Sequence, residues 1–134
     1  MSRPLRAYSA GDWARIAEAL LLHLVVGAGL RIVPFARIRA TVDRWFRAAD
    51  AAPVSANDIA WAVNATGRRF PGTTCLSAAI VAYAMLRRRG RDPQLRIGVR
   101  HSRDRTLDAH AWVECGGRVV IGELPEMAGY ATLA

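Results

Sequence analysis

The sequence predicts an α+β fold in which N-terminal helices and a central buried helix pack on a small antiparallel sheet. Apolar residues recur at helical spacing through the first part of the chain, and apolar and polar residues alternate after Gln94. Gly116-Gly117 separates two alternating runs, which is typical of a β-hairpin. We expect one domain over residues 1–134, with a helical part at 1–52 and a core at 53–134.

Composition and charge are those of a folded protein with a basic surface. The 134 residues are 52% hydrophobic, which argues against disorder. The formal charge of +8 comes from arginine, because the sequence contains no lysine. The arginines are scattered and no basic run is interleaved with aromatic residues, so we expect no nucleic-acid partner. Cys75 and Cys115 are too few for a disulfide framework and fit a reduced, cytoplasmic setting.

No membrane span or targeting segment is predicted. The most apolar run, Ala19–Leu30, contains His23 and two glycines and is shorter than the roughly 20 residues that a span needs. We therefore expect a buried core helix there. Met1–Tyr8 lacks the layout of a signal peptide.

The first helix has a clear start signal. Ser9 and Asp12 form a capping-box pattern, which opens a helix over Gly11–Val26. Gly27 and Gly29 are expected to end it.

The second and third helices are separated by a short linker, Ala51–Val54. Pro34 suits the first turn of the second helix, and Ser55 with Asp58 repeats the capping pattern for a third helix that stops near Gly67. Apolar residues of the second helix recur on one face, with arginines beside them on the wet face: Phe35, Ile38, Val42 and Trp45.

The fourth helix is predicted to be the buried centre of the fold. Thr73 or Thr74 can cap a helix that starts around Cys75 and ends at Gly90. Because Leu76–Leu86 is apolar on nearly every face, we expect other elements to surround it.

The strands follow, and the hairpin between the last two predicts a site. Strands are expected at Gln94–Arg100, Asp108–Cys115 and Arg118–Gly122, with a polar loop at His101–Thr106. A histidine and a carboxylate then lie side by side, with Cβ atoms about 4.5–5.5 Å apart, as base and orienting acid of a catalytic triad. A regular ladder predicts these pairs: Cys115 with Arg118, Trp112 with Ile121, Ala111 with Gly122, and His110 with Glu123.

Cys75 is the candidate nucleophile. The first turn of a helix favours the thiolate, and a neighbouring histidine activates it. Its backbone N–H is a candidate oxyanion donor. Each residue alone also has a structural explanation: Cys75 as a small buried apolar residue, His110 as a hydrogen-bonded strand residue and Glu123 as a solvated carboxylate. Their combination favours a triad of Cys75, His110 and Glu123.

Other polar residues are weaker candidates. Asp108 shares the face of His110 and is the alternative to Glu123 as orienting acid. No three or four metal ligands converge, and no phosphate-binding glycine motif is present, so no cofactor is expected. The remaining candidates are His23 as a hydrogen-bonded core histidine, Cys115 as buried filler on the opposite face, and His101 with Asp104 in a loop beside the site.

At these residues the sequence resembles a known family, the stand-alone maturation protease of lasso-peptide biosynthesis. The resemblance covers about Ile59 to Leu124, and the N-terminal helices match only in general character. The segments that carry it are Phe70–Leu76, Leu86–Gly90, Leu95–Val99, Ala109–Glu114 and Gly117–Val120.

The resemblance implies a transglutaminase-like, papain-related fold and a Cys75–His110–acid triad that hydrolyses the leader from a ribosomally made precursor. The family often has aspartate as the third member, where this chain has Glu123. It also implies two partners besides the precursor leader peptide: a separate leader-recognition protein and an ATP-dependent macrolactam cyclase.

Two other functions stay open from the sequence. The first is another transglutaminase-like peptidase or amidase with the same triad. The second, from a different class, is a basic helical nucleic-acid-binding module. That module predicts salt-sensitive binding that survives Cys75→Ala, whereas a peptidase loses its activity with this change.

Overall fold

Helices and an antiparallel sheet make up the computed structural model of the chain, which describes residues 8–45, 55–69, 72–101, 106–123 and 130–132. The predicted α+β class is confirmed. The linker Ala51–Val54, the loop residues Phe70 and Pro71, and Asp104 lie outside the described residues. The helices are α1 (Ala10–Ile32), α2 (Phe35–Trp45), α3 (Ala56–Gly67) and α4 (Cys75–Arg88); the strands are β1 (Gln94–His101), β2 (Leu107–Cys115), β3 (Arg118–Ile121) and β4 (Ala131–Thr132).

Helix α1 begins with the predicted capping box. The Ser9 N–H donates to Asp12 Oδ2 at 3.0 Å, and the Asp12 N–H donates to Ser9 Oγ at 3.1 Å. Further along, Glu18 joins α1 to the end of α4 by ion pairs with Arg88 (2.9 Å) and Arg89 (2.5 Å). By length and composition alone α1 could cross a membrane, a criterion that core helices and signal sequences also meet.

The end of α1 differs from the prediction. The helix continues through Gly27 and Gly29 as far as Ile32, so the expected end at Val26 is wrong. A glycine inside a helix costs about 1 kcal/mol but keeps its N–H, so it does not stop the helix. Val33 is extended (φ −127°, ψ 136°), because Pro34 disfavours the helical conformation of the residue before it.

Helices α2 and α3 follow the sequence pattern. Val42 is buried, while Phe35 and Ile38 pack at the edge of the core; the side chain of Trp45 lies outside the described part. Helix α3 begins after Ser55, whose Oγ accepts the Asp58 N–H at 3.1 Å.

Helix α4 is the centre of the fold, as predicted. Every residue from Ala79 to Leu86 is buried. Helices α1, α2 and α3 and strands β1, β2 and β3 all contact α4. The Tyr83 hydroxyl donates to Asp43 of α2 at 2.6 Å, and Gly90, with φ +78°, supplies the left-handed residue after the helix.

The sheet has the strand order β3-β2-β1-β4, and all its pairs are antiparallel. The Gly116-Gly117 turn is confirmed, with φ +63° and +79°, and Cys115 pairs with Arg118. A bulge between Val113 and Glu114 then shifts the register, so Val113 rather than Trp112 pairs with Ile121. The predicted ladder beyond this point is therefore wrong, because a regular alternation gives no sign of a bulge.

The two faces of the sheet have different surroundings. Leu95, Ala111 and Val113 belong to the buried cluster that includes α4. His110 and Trp112 alternate with these residues and lie on the other face. The edge strand β4, which the sequence analysis did not predict, pairs with β1 beside Gly98.

Candidate active site

Cys75 is the first residue of α4. Its side chain is exposed and its thiol is free. Thr74 is the N-cap: its Oγ1 accepts the Ser77 N–H at 3.1 Å, and its own N–H donates to Ser77 Oγ at 2.9 Å. This reciprocal capping box fixes the first turn of the helix on which Cys75 stands.

The position of Cys75 supplies backbone donors as well as a thiol. The first N–H groups of a helix have no acceptor within the helix. At the start of α4 these groups belong to Cys75 and Leu76, since Ser77 is bonded to the cap. They point in the direction in which the helix dipole is positive, which is the arrangement that stabilises an oxyanion on a carbonyl attacked by Cys75.

His110 of β2 is half-buried and held by a backbone carbonyl. Its Nε2 lies 2.5 Å from the Gly122 oxygen. Because a carbonyl oxygen can only accept, Nε2 carries the hydrogen of this bond. In the neutral imidazole, Nδ1 is then the basic nitrogen. The geometry therefore selects one tautomer without using a carboxylate.

Two aromatic rings flank His110. Its ring centroid is 6.0 Å from that of Trp112, with nearly parallel planes (19°), and 5.7 Å from that of Tyr130. Gly98 makes room for this cluster, since a Cβ there would lie 2.8 Å from the Trp112 ring and 2.9 Å from Tyr130 Cβ. Tyr130 precedes β4, and Arg100 stacks over its ring at 4.9 Å.

Among the described residues, neither carboxylate predicted as orienting acid forms a hydrogen bond with His110. Glu123 is exposed and follows Gly122; because of the bulge, the expected pairing of Glu123 with His110 does not form. Asp108 forms an ion pair with Arg100 at 3.7 Å. In the structure, the Gly122 carbonyl is therefore the group that holds His110.

Helix α3 contacts the hairpin at one end and the start of α4 at the other. Arg118, beside the hairpin turn, donates to Asn57 at the start of α3 at 3.3 Å. The other end of α3 adjoins the start of α4, since a Cβ on Gly67 would lie 3.3 Å from Thr73 Cγ2.

Cys75 and His110 are nonetheless not joined in the structure. Among the described residues no hydrogen bond links the thiol to the imidazole. His110 is on the sheet face of Trp112, whereas α4 packs on the face of Ala111 and Val113. The structure thus brings His110 together with Gly122, and leaves the contact with Cys75 a prediction.

The other candidate residues from the sequence lie in the core and at the ends of strands. His23 is buried, with Nε2 3.3 Å from the Val63 carbonyl, and burial lowers the pKa of its imidazole. Cys115 is half-buried and His101 is exposed at the end of β1. Within the described ranges no three His, Cys, Asp or Glu residues are grouped as metal ligands.

Sequence reasoning missed the roles of Trp112, Tyr130 and the Gly122 carbonyl. A backbone acceptor leaves no mark in side-chain identity. Tyr130 could have been found only from the short β-prone stretch Tyr130–Thr132, which is close to the minimum length of a strand.

Comparison with known proteins identifies the superfamily of the chain. The sequence profile of the transglutaminase-like superfamily matches residues 20–134. No curated protein and no solved structure gives a significant match. The match extends from the middle of α1 to the last residue, and it includes both Cys75 and His110. The chain therefore belongs to the transglutaminase-like superfamily.

Proposed function

We propose that the chain is a cysteine peptidase that removes the leader from a lasso-peptide precursor. The observation that carries the proposal is an exposed, free Cys75 at the first position of a capped helix, in a chain of the transglutaminase-like superfamily. These features support chemistry with a cysteine nucleophile. The lasso-peptide substrate rests on the motifs around Cys75 and His110 that resemble those of the leader peptidases.

The proposed reaction has two steps. The Cys75 thiolate attacks the scissile carbonyl, and the N–H groups of Cys75 and Leu76 stabilise the oxyanion. The C–N bond breaks as protonated His110 gives its proton to the leaving amine. Water, deprotonated by His110, then attacks the thioester, which releases the leader as an acid and regenerates the thiol.

The base in this scheme is Nδ1 of His110. Its Nε2–H is directed at the Gly122 carbonyl, so the lone pair of Nδ1 is the one available for the thiol proton. Catalysis requires Sγ and Nδ1 to approach to about 3 Å, and such contacts often tighten only when substrate binds. Glu123 and Asp108 remain candidates for a carboxylate that assists His110 in that state.

The arginines favour an enzyme over a nucleic-acid-binding module. Several of them are engaged with carboxylates of the same chain, which leaves fewer guanidinium groups to contact phosphates. The ion pairs are Arg15 with Asp12, Arg87 with Asp43, Arg88 and Arg89 with Glu18, Arg96 with Glu114, and Arg100 with Asp108.

The experiment combines the protein with a lasso-peptide precursor, a leader-recognition protein and the ATP-dependent cyclase. Run in ¹⁸O-labelled water, intact mass should show one cut, with one heavy oxygen in the new carboxylate of the leader. Omission of the recognition protein should slow the cut. A leader whose new end is joined to an amine, and which carries no heavy oxygen, would indicate a transferase. An uncut precursor would contradict the proposal.

A further inference from the structure

A groove of about 390 Å³ opens between α1 and the start of α4. Its α4 side consists of Gly72, Thr73 and Ser77, which lie two or three residues from Cys75 in the sequence. Ligand pockets range from about 300 to 1,000 Å³, so the groove has room for one or two side chains rather than a large cofactor. The α1 side is formed by His23, Leu24, Gly27, Ala28, Arg31 and Ile32.

The α1 wall of the groove is apolar and open. Leu24 is 57% exposed and Ile32 is 82% exposed, although both are large apolar residues. They occur with Ala28 at intervals of four residues, so the three side chains line one face of the helix along the groove. This wall matches an apolar side chain.

Charge further limits what the groove can accept. Arg31 carries the formal positive charge of the described lining, since burial lowers the pKa of His23 and keeps its imidazole neutral near pH 7. Ser77 is buried and already bonded to the Thr74 cap. A cationic side chain would be repelled by Arg31, whereas an apolar one would contact Leu24, Ala28 and Ile32.

We propose that this groove is a substrate subsite, which holds an apolar side chain of the peptide on the acyl side of the scissile bond, within two residues of it. The inference rests on the proposed peptidase function. The acyl half stays bonded to Cys75 until water arrives, so a subsite beside Cys75 holds it through both steps. Leucine-sized residues are preferred there over glycine and over lysine.

Gly27 offers a way to fill the groove without disturbing the fold. A Cβ built on Gly27 meets no atom within 4 Å, so Gly27→Leu projects into open space. Ala28→Leu adds bulk at a second, exposed lining position. The matched control is Ala14→Leu, which adds the same side chain to an exposed position of α1 away from the groove.

The test measures the alkylation rate of Cys75 in the Cys115→Ala background by intact mass. The probes are acetyl-Leu-Gly, acetyl-Gly-Leu, acetyl-Gly-Gly and acetyl-Lys-Gly chloromethyl ketones, with iodoacetamide as the side-chain-free reference. The protein without a groove-filling change, and the Ala14→Leu control, should react at least about tenfold faster with one of the two leucine-containing ketones than with acetyl-Gly-Gly chloromethyl ketone. Gly27→Leu and Ala28→Leu should reduce that ratio to about twofold or less while iodoacetamide reacts unchanged.

Equal rates for all peptide probes would overturn the subsite, as would a leucyl preference that survives both groove-filling changes. Because iodoacetamide reacts with any exposed thiol, this result does not depend on peptidase activity. A leucyl preference together with an uncut precursor would keep the subsite and contradict the proposed substrate. Precursor cleavage without a leucyl preference would keep the proposed substrate and contradict the subsite.

Discussion

At the residue scale, the behaviour of His110 is set by its partners on β2 and after β3. The Gly122 carbonyl fixes the tautomer, and Trp112 and Tyr130 restrict rotation of the ring. A neutral acceptor stabilises an imidazolium less than a carboxylate does, because charge-assisted hydrogen bonds are roughly twice as strong. A substitution of Glu123 therefore tests whether a carbonyl or a carboxylate is the partner of His110 during catalysis.

Glu123→Gln should lower kcat/KM for precursor cleavage by less than about tenfold, because the change leaves the Gly122 carbonyl in place. Asp108→Asn is the matched change at the other candidate carboxylate, which pairs with Arg100 in the structure. A loss of about a thousandfold or more with Glu123→Gln would show that the carboxylate becomes the partner of His110 during catalysis.

His23 makes stability depend on pH. Burial lowers the pKa of its imidazole in the folded protein below the ordinary value of 6.5. Between the two values the unfolded chain binds more protons, so stability falls as the pH drops below 6.5. Urea midpoints at pH 7.5 and 5.5 should differ by less in His23→Gln than in the unsubstituted protein, and an equal difference would contradict this role.

At the element scale, the glycines of α1 and β1 have opposite roles. Gly27 lies inside a helix with open space around it, whereas Gly98 lies in a strand covered by Trp112 and Tyr130. Only at Gly98 do the neighbouring side chains leave no room for a Cβ. Gly27 reduces helix stability and leaves the groove between α1 and the start of α4 open.

Gly27→Ala should raise the free energy of unfolding by about 0.5–1 kcal/mol, because alanine favours the helix and meets no clash. Gly98→Ala should lower it by about 1–3 kcal/mol, since the new Cβ would lie 2.8 Å from the Trp112 ring. Denaturation with urea measures both. Equal effects of the two changes would show that the packing around Gly98 is not the determining contact.

At the scale of the whole molecule, the fold places the thiol on a helix and the imidazole on a sheet. Helix α4 could be predicted because its apolar surface requires burial on every side, and the hairpin turn because paired glycines adopt the conformation it needs. The bulge after Val113 and the short β4 depend on tertiary contacts that leave little local pattern. The sequence thus predicted Cys75 and His110 as candidates but placed Glu123 in the wrong register.

The most direct test of the account is precursor cleavage, with the leader-recognition protein present, by Cys75→Ala and Cys115→Ala. The two changes remove one thiol each, and both free cysteines are known from the structure. The account predicts that Cys115→Ala keeps the cleavage rate within about threefold, while Cys75→Ala lowers it by at least about a thousandfold. Cleavage that continues in Cys75→Ala at a comparable rate would contradict the account.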